Sequence, residues 1–157
     1  MRRTSMVPVA AALACAALPA QAATTQTVWQ GDAFLTTVTS PCTASGIAQD
    51  DYYRTVYRPK LSGTDPAEAL SFVGGRSLVL GTSAAGSAMF QGSGNYKIEG
   101  VGSRANFFTS TGHFQLSILP APITAGTQDV SITGSLTNFF AITGCTIQFT
   151  SALVQRP

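Results

Sequence analysis

Residues 130–153 read VSITGSLTNFFAITGCTIQFTSAL. Val130, Ile132, Leu136, Phe140 and Ile142 share one parity, with Gly134 and Asn138 between them. Ile147, Phe149 and Leu153 then alternate with Gln148, Thr150 and Ala152. Apolar residues at every second position mark strands with one buried and one polar face. Antiparallel sheets allow that arrangement, whereas parallel strands, covered on both faces, read as continuous apolar runs.

The same signature extends towards the N-terminus. Phe114, Leu116 and Ile118 alternate with Gln115 and Ser117. Strands are expected near 95–101, 87–91 and 76–81, at 51–58, and at 26–39 with a bulge at Gly31. In 51–58, Tyr53, Thr55 and Tyr57 share one face and Tyr52, Arg54, Val56 and Arg58 the other. The single helix signal is Asp65-Pro66-Ala67-Glu68, with a capping Asp, Pro at the first helical position and Glu three residues on. Asn106–Gly112 (NFFTSTG) echoes Asn138–Gly144 (NFFAITG), which is read as two hairpins turning near each Thr-Gly pair.

The N-terminus follows different rules. Arg2 and Arg3 precede an uncharged run from Met6 to Leu18, followed by Pro19-Ala20-Gln21-Ala22. A positive start, an apolar stretch and a small-x-small exit define a secretory signal peptide, here residues 1–22, forming a cleavable helix. The apolar stretch falls short of the roughly 20 residues that span a bilayer. Leu13-Ala14 stands one position too close to Cys15 for a bacterial lipobox, so cleavage after Ala22 is expected. Removing 22 of 157 residues leaves 135 in a single domain, 23–157, long enough to bury a core.

Arg2 and Arg3 leave with the signal, so seven of the nine basic residues face seven acidic ones. A neutral chain without a basic run argues against nucleic acid or an anionic membrane surface as partner. Cys15 also leaves. Cys42 and Cys145 form an even pair, expected to bridge in an oxidising compartment. A bridge brings two Cα atoms within about 7 Å, so the first and last strands must end near each other. The expected fold is therefore all-β: a small antiparallel β-barrel of about eight strands, with a β-sandwich as the second choice.

Few residues carry chemistry. His113 is the only histidine. It sits opposite in parity to Phe114 and so faces solvent, and as a base it would need a nucleophile and an orienting group nearby. No second Cys or His stands near either mature cysteine, and Asp50-Asp51 lack spaced oxygen ligands, so no metal site and no cofactor are expected. No nucleophile elbow or phosphate loop is present. The ligand-binding candidates are Trp29, Tyr53 and Tyr57, placed to line a barrel interior, with Arg54 beside them. An enzyme would be sought around Tyr53, Arg54, Asp32 and His113.

These features imply an exported protein, periplasmic or secreted and with a leader of bacterial kind. The leading expectation is a non-enzymatic β-domain that binds a small apolar or aromatic ligand. One alternative is an interaction protein at the cell surface acting through an edge strand. The other is an eight-stranded outer-membrane barrel. Its strands would need about 9–11 residues, and aromatic girdles are not evident here.

Overall fold

The computed structural model describes residues 26–65, 68–74, 77–81, 90–101 and 110–156. The expected signal segment lies outside them. Eight strands follow in chain order: β1 (Val28–Val38), β2 (Tyr52–Arg58), β3 (Ala69–Val73), β4 (Ser77–Gly81), β5 (Gly92–Val101), β6 (Ser110–Leu119), β7 (Asp129–Thr137) and β8 (Thr146–Arg156). A short helix, α1 (Ser40–Thr43), follows β1, and a 3-10 turn, Phe139–Ala141, precedes β8.

All eight strands lie in one antiparallel sheet, not in the two facing sheets of a sandwich. Each strand pairs with the next in sequence, and β1 also pairs with β8 from Val28↔Arg156 to Val38↔Ile147. The sheet thus curls until its pairing closes on itself, and every strand has a neighbour on either side. Cys42 and Cys145 are joined across the same seam, with their Cα atoms 4.7 Å apart.

Parity sorts the two faces as the alternation requires. Trp29, Ala33 and Leu35 of β1 are buried, as are Leu70 and Phe72 of β3, Phe114, Leu116 and Ile118 of β6, and Ile147, Phe149 and Leu153 of β8. Outward positions are mostly polar: Thr111, His113, Gln115 and Ser117 on β6, Ser131 and Thr133 on β7, and Gln148 and Thr150 on β8 are all exposed. Lipid-facing barrels carry the reverse, an apolar outer band.

Phe72 packs edge-on against Phe139 and Phe149, with ring centroids 5.4 and 5.2 Å apart, filling the curl from the disulfide end. Aromatic rings favour such perpendicular contacts because a positive edge meets a negative face.

Several expectations are corrected. Of the strand expected at 87–91, residues 87–89 lie outside the described residues and Phe90 and Gln91 lie outside any strand, while β3 is a strand the alternation does not announce. Gly31 sits in regular register with Thr55 and Leu153, and the irregularity falls instead between Leu35 and Thr37. Gly31 is a glycine for another reason: a Cβ there would run into the Ala152 carbonyl oxygen of β8. The helix expected at Asp65-Pro66-Ala67-Glu68 falls on Pro66 and Ala67, which lie outside the described residues, and neither Asp65 nor Glu68 is helical. Asp65 Oδ2 accepts from the backbone N–H groups of Leu61 (2.9 Å) and Ser62 (2.7 Å), closing a turn behind it. That geometry holds the Asp65 carboxyl below its ordinary range, chiefly through the Ser62 bond.

The echoed segments also diverge. Thr143-Gly144 does lie in a turn, with Gly144 at φ 77°, but Thr111-Gly112 lies within β6. Gly112 stands opposite Tyr96 of β5, and a Cβ there would collide with that ring. The Tyr96 hydroxyl continues over the glycine to donate to the Thr137 carbonyl of β7. The rest of the first copy, residues 106–109, lies outside the described residues.

Candidate functional site

Antiparallel order places alternate loops at opposite ends of the sheet. The 39–51 and 138–145 loops carry the disulfide at one end. At the other, the 59–68 and 120–128 loops stand around a concavity of about 390 Å³. Prolines begin both loops: Pro59 stops β2 and Pro120 stops β6, because proline supplies no ladder N–H. The Asp65 turn shapes the first loop. In the second, Thr127 N–H donates to the Thr124 carbonyl (3.0 Å) and Thr124 N–H to the Thr127 hydroxyl (3.0 Å).

Pro59, Leu61, Ile118, Pro120, Pro122 and Ile123 give the pocket apolar walls, and Lys60 and Gln91 add polar groups. Gln91 Oε1 accepts from Ile118 N–H at 2.8 Å, tying the start of β5 to the end of β6.

Tyr57 and Glu68 also line the pocket, both almost wholly buried. The Tyr57 hydroxyl donates to Glu68 Oε1, and Phe90 N–H donates to Glu68 Oε2 at 3.2 Å. A buried carboxylate is costly unless hydrogen-bonded, and here each oxygen has a donor. Burial first, then the Glu68 charge and its hydrogen bond, pushes the Tyr57 phenol far above its ordinary range. Burial alone pushes Tyr96 the same way.

A phenol whose folded pKa is raised contributes stability below its unfolded pKa, about 10, and loses it as pH climbs beyond. Tyr57 and Tyr96 are therefore expected to ionise only as the protein unfolds at alkaline pH. Tyrosinate absorbance recorded beside circular dichroism should show a late component coincident with unfolding. A Tyr57→Phe, Tyr96→Phe variant should lack it.

The sequence-derived candidates are dispersed. Tyr57 lines the pocket. Trp29 stands opposite Tyr57 in register but is fully buried, its indole N–H donating to the Thr127 carbonyl at 3.1 Å, so it anchors the pocket's second loop. Tyr53 lies towards the disulfide end, its ring 5.7 Å from Phe139 and 5.4 Å from Phe140. Arg54 is on the outer face opposite Asp32 and donates to Gln30 Oε1 at 2.9 Å.

Glu68, Gln91 and the Pro120–Ile123 wall escaped sequence reading. An acid immediately before the apolar alternation of Ala69–Val73, and prolines closing two strands, were the available signals. No family model matches the chain, and neither a curated protein nor a solved structure matches it.

Proposed function

We propose that the protein is an exported β-barrel domain, residues 23–157, that binds a small, largely apolar ligand at the end of the sheet away from the disulfide. The observation that carries this reading is an apolar concavity with a hydrogen-bonded carboxylate and phenol, Glu68 and Tyr57, among its walls. Its volume of about 390 Å³ falls within the range of small-molecule sites, roughly 300–1,000 Å³. The prolines, Leu61, Ile118 and Ile123 suit an apolar or aromatic body. Glu68 and Tyr57 add polar groups to that otherwise apolar wall.

The leader-like N-terminus supports export, and the disulfide is compatible with it. Pairing through an edge strand needs an unpaired edge, and lipid insertion needs an apolar exterior. Closed pairing and polar outward positions support ligand binding over both.

The test uses protein recovered after export, its intact mass first compared with that of a chain beginning at Ala23. Titrating it with N-phenyl-1-naphthylamine, an apolar fluorophore with one N–H donor, is expected to give a saturable rise in emission. Ile123→Trp should fill the mouth and weaken binding by about tenfold, equivalent to about 1.4 kcal/mol. No saturation, or saturation indifferent to Ile123→Trp, would overturn the assignment.

A further inference from the structure

On the outer face of β5 and β6, starting two residues beyond Gln91 of the pocket wall, four polar residues stand as a square. Ser93 stands opposite Gln115 and Asn95 opposite His113. Across the diagonal, Ser93 Oγ lies 3.1 Å from His113 Nε2. On the other side of the ring, His113 Nδ1 lies 3.4 Å from Asn95 Oδ1. With Nδ1 protonated towards that oxygen, Nε2 presents its lone pair to the serine hydroxyl, which is the tautomer a serine–histidine relay requires. The other acceptor near Ser93 Oγ, the Phe114 carbonyl, is farther away at 3.4 Å. The His113 backbone is held in place by its N–H donating to the Thr137 hydroxyl at 2.8 Å. The lone histidine therefore has both groups a catalytic base requires, a nucleophile and an orienting partner.

Room for a substrate lies alongside. An open groove of about 630 Å³ is lined by Ser93, Gln115, Ser117, Thr133, Ser135 and Gln148, among others. Its hydroxyl and amide lining matches a polyhydroxylated partner.

We propose that Ser93, His113 and Asn95 form a nucleophile relay that takes an acyl group from an ester of a polyhydroxylated alcohol. Ser93 Oγ attacks the ester carbonyl carbon as its proton passes to His113 Nε2. The carbon–oxygen bond to the alcohol breaks, and the imidazolium returns that proton to the leaving oxygen. Water, deprotonated by the same nitrogen, then attacks acyl-Ser93, releasing the acid and restoring the serine. Gln115, across the ladder from Ser93, is the amide placed to donate to the developing oxyanion. Asn95 acts through His113 and is a positioning residue.

The test incubates the full chain with p-nitrophenyl acetate, follows p-nitrophenolate release and maps acetylated peptides by mass spectrometry. Acetyl is expected on Ser93 and should be absent there in Ser93→Ala. A general base contributes about 10²–10⁴-fold, so His113→Gln should slow acylation roughly a hundredfold. Asn95→Leu should slow it as well, and Asn95→Asp should restore it. All three positions are exposed, and circular dichroism of each variant controls for folding. Acetyl confined to amines, or Ser93 labelling unchanged by His113→Gln, would overturn the proposal.

Discussion

Removing the Cys42–Cys145 bridge is expected to destabilise the protein by about 4–5 kcal/mol, the chain-entropy value for a loop of about 100 residues, measured effects often being smaller. The cysteines stand 103 positions apart. In the folded protein the bridge duplicates geometry that backbone pairing already makes. Thr39 N–H donates to the Thr146 carbonyl at 3.0 Å, and Thr146 N–H donates to the Thr39 hydroxyl at 2.9 Å. The cost therefore falls mainly on the unfolded chain, which gains freedom when the loop opens. Both cysteines are fully buried, so alanine is the better replacement, since serine would bury a hydroxyl. Cys42→Ala, Cys145→Ala should keep the β-sheet circular dichroism of the parent. Domains are stable by only about 5–15 kcal/mol, so this loss is a large fraction of the total. With a urea slope of about 1–3 kcal/mol per molar, the unfolding midpoint should fall by roughly 2 M. An unchanged midpoint would mean that the unfolded chain already holds these ends together.

That closure was legible because cysteine spacing is long-range information written in the sequence. Periodicity is local, and it served where strands are long and one-faced, as in β6, β7 and β8. It missed β3, whose five residues are crowded between a helix-like Asp-Pro signal and Gly74-Gly75. Phe90 and Gln91, the described end of the strand expected at 87–91, lie outside any strand. Phe90 is buried there, but it serves as a backbone donor to Glu68, a demand no local pattern announces. The Asn-Phe-Phe echo failed for a related reason. Gly112 answers to the Tyr96 ring across the ladder and Gly144 to a turn, so identical dipeptides satisfy different constraints.

Site residues were legible only to the extent that parity defines them. Parity put Tyr57 inward and Arg54 outward. It could not say that Tyr53, four residues from Tyr57 on the same face, belongs to the opposite end of the curl among Phe139 and Phe140. Nor could it bring Glu68 to Tyr57, or Ser93 to His113, since register between strands is set by the whole circuit of pairing. A one-residue slip would turn every side chain of a strand to the other face. The pocket draws on 57–68, Gln91 and 118–123, three stretches that only the completed curl makes adjacent.

Phe139→Ala is expected to be as costly as losing the bridge. The ring is fully buried and contacts Tyr53, Phe72 and Phe140 at centroid separations of 5.7, 5.4 and 4.4 Å. Truncating a buried Phe costs about 3–5 kcal/mol through lost burial and residual cavity. Here the loop adds to the demand. Asn138, Phe140 and Ala141 all have left-handed backbones, with φ of 54°, 52° and 59°. Such conformations are unfavourable for residues with a Cβ and persist only where surrounding contacts fix them. Those contacts are the Phe139 ring, Phe139 N–H donating to the Cys145 carbonyl at 3.1 Å, and Asn138 bonded through its side chain to Thr111 and Gly144. Urea unfolding of Phe139→Ala alone, and of Phe139→Ala combined with the two cysteine replacements, separates two roles for the bridge. If it acts only on the unfolded chain, the two costs should add. If it also holds the native 138–145 loop, the combined cost should fall short of the sum by about 0.5–3 kcal/mol, the coupling expected of neighbours. Because the Phe139 N–H and the Cys145 carbonyl are backbone groups that all three substitutions keep, additive costs are the expected result.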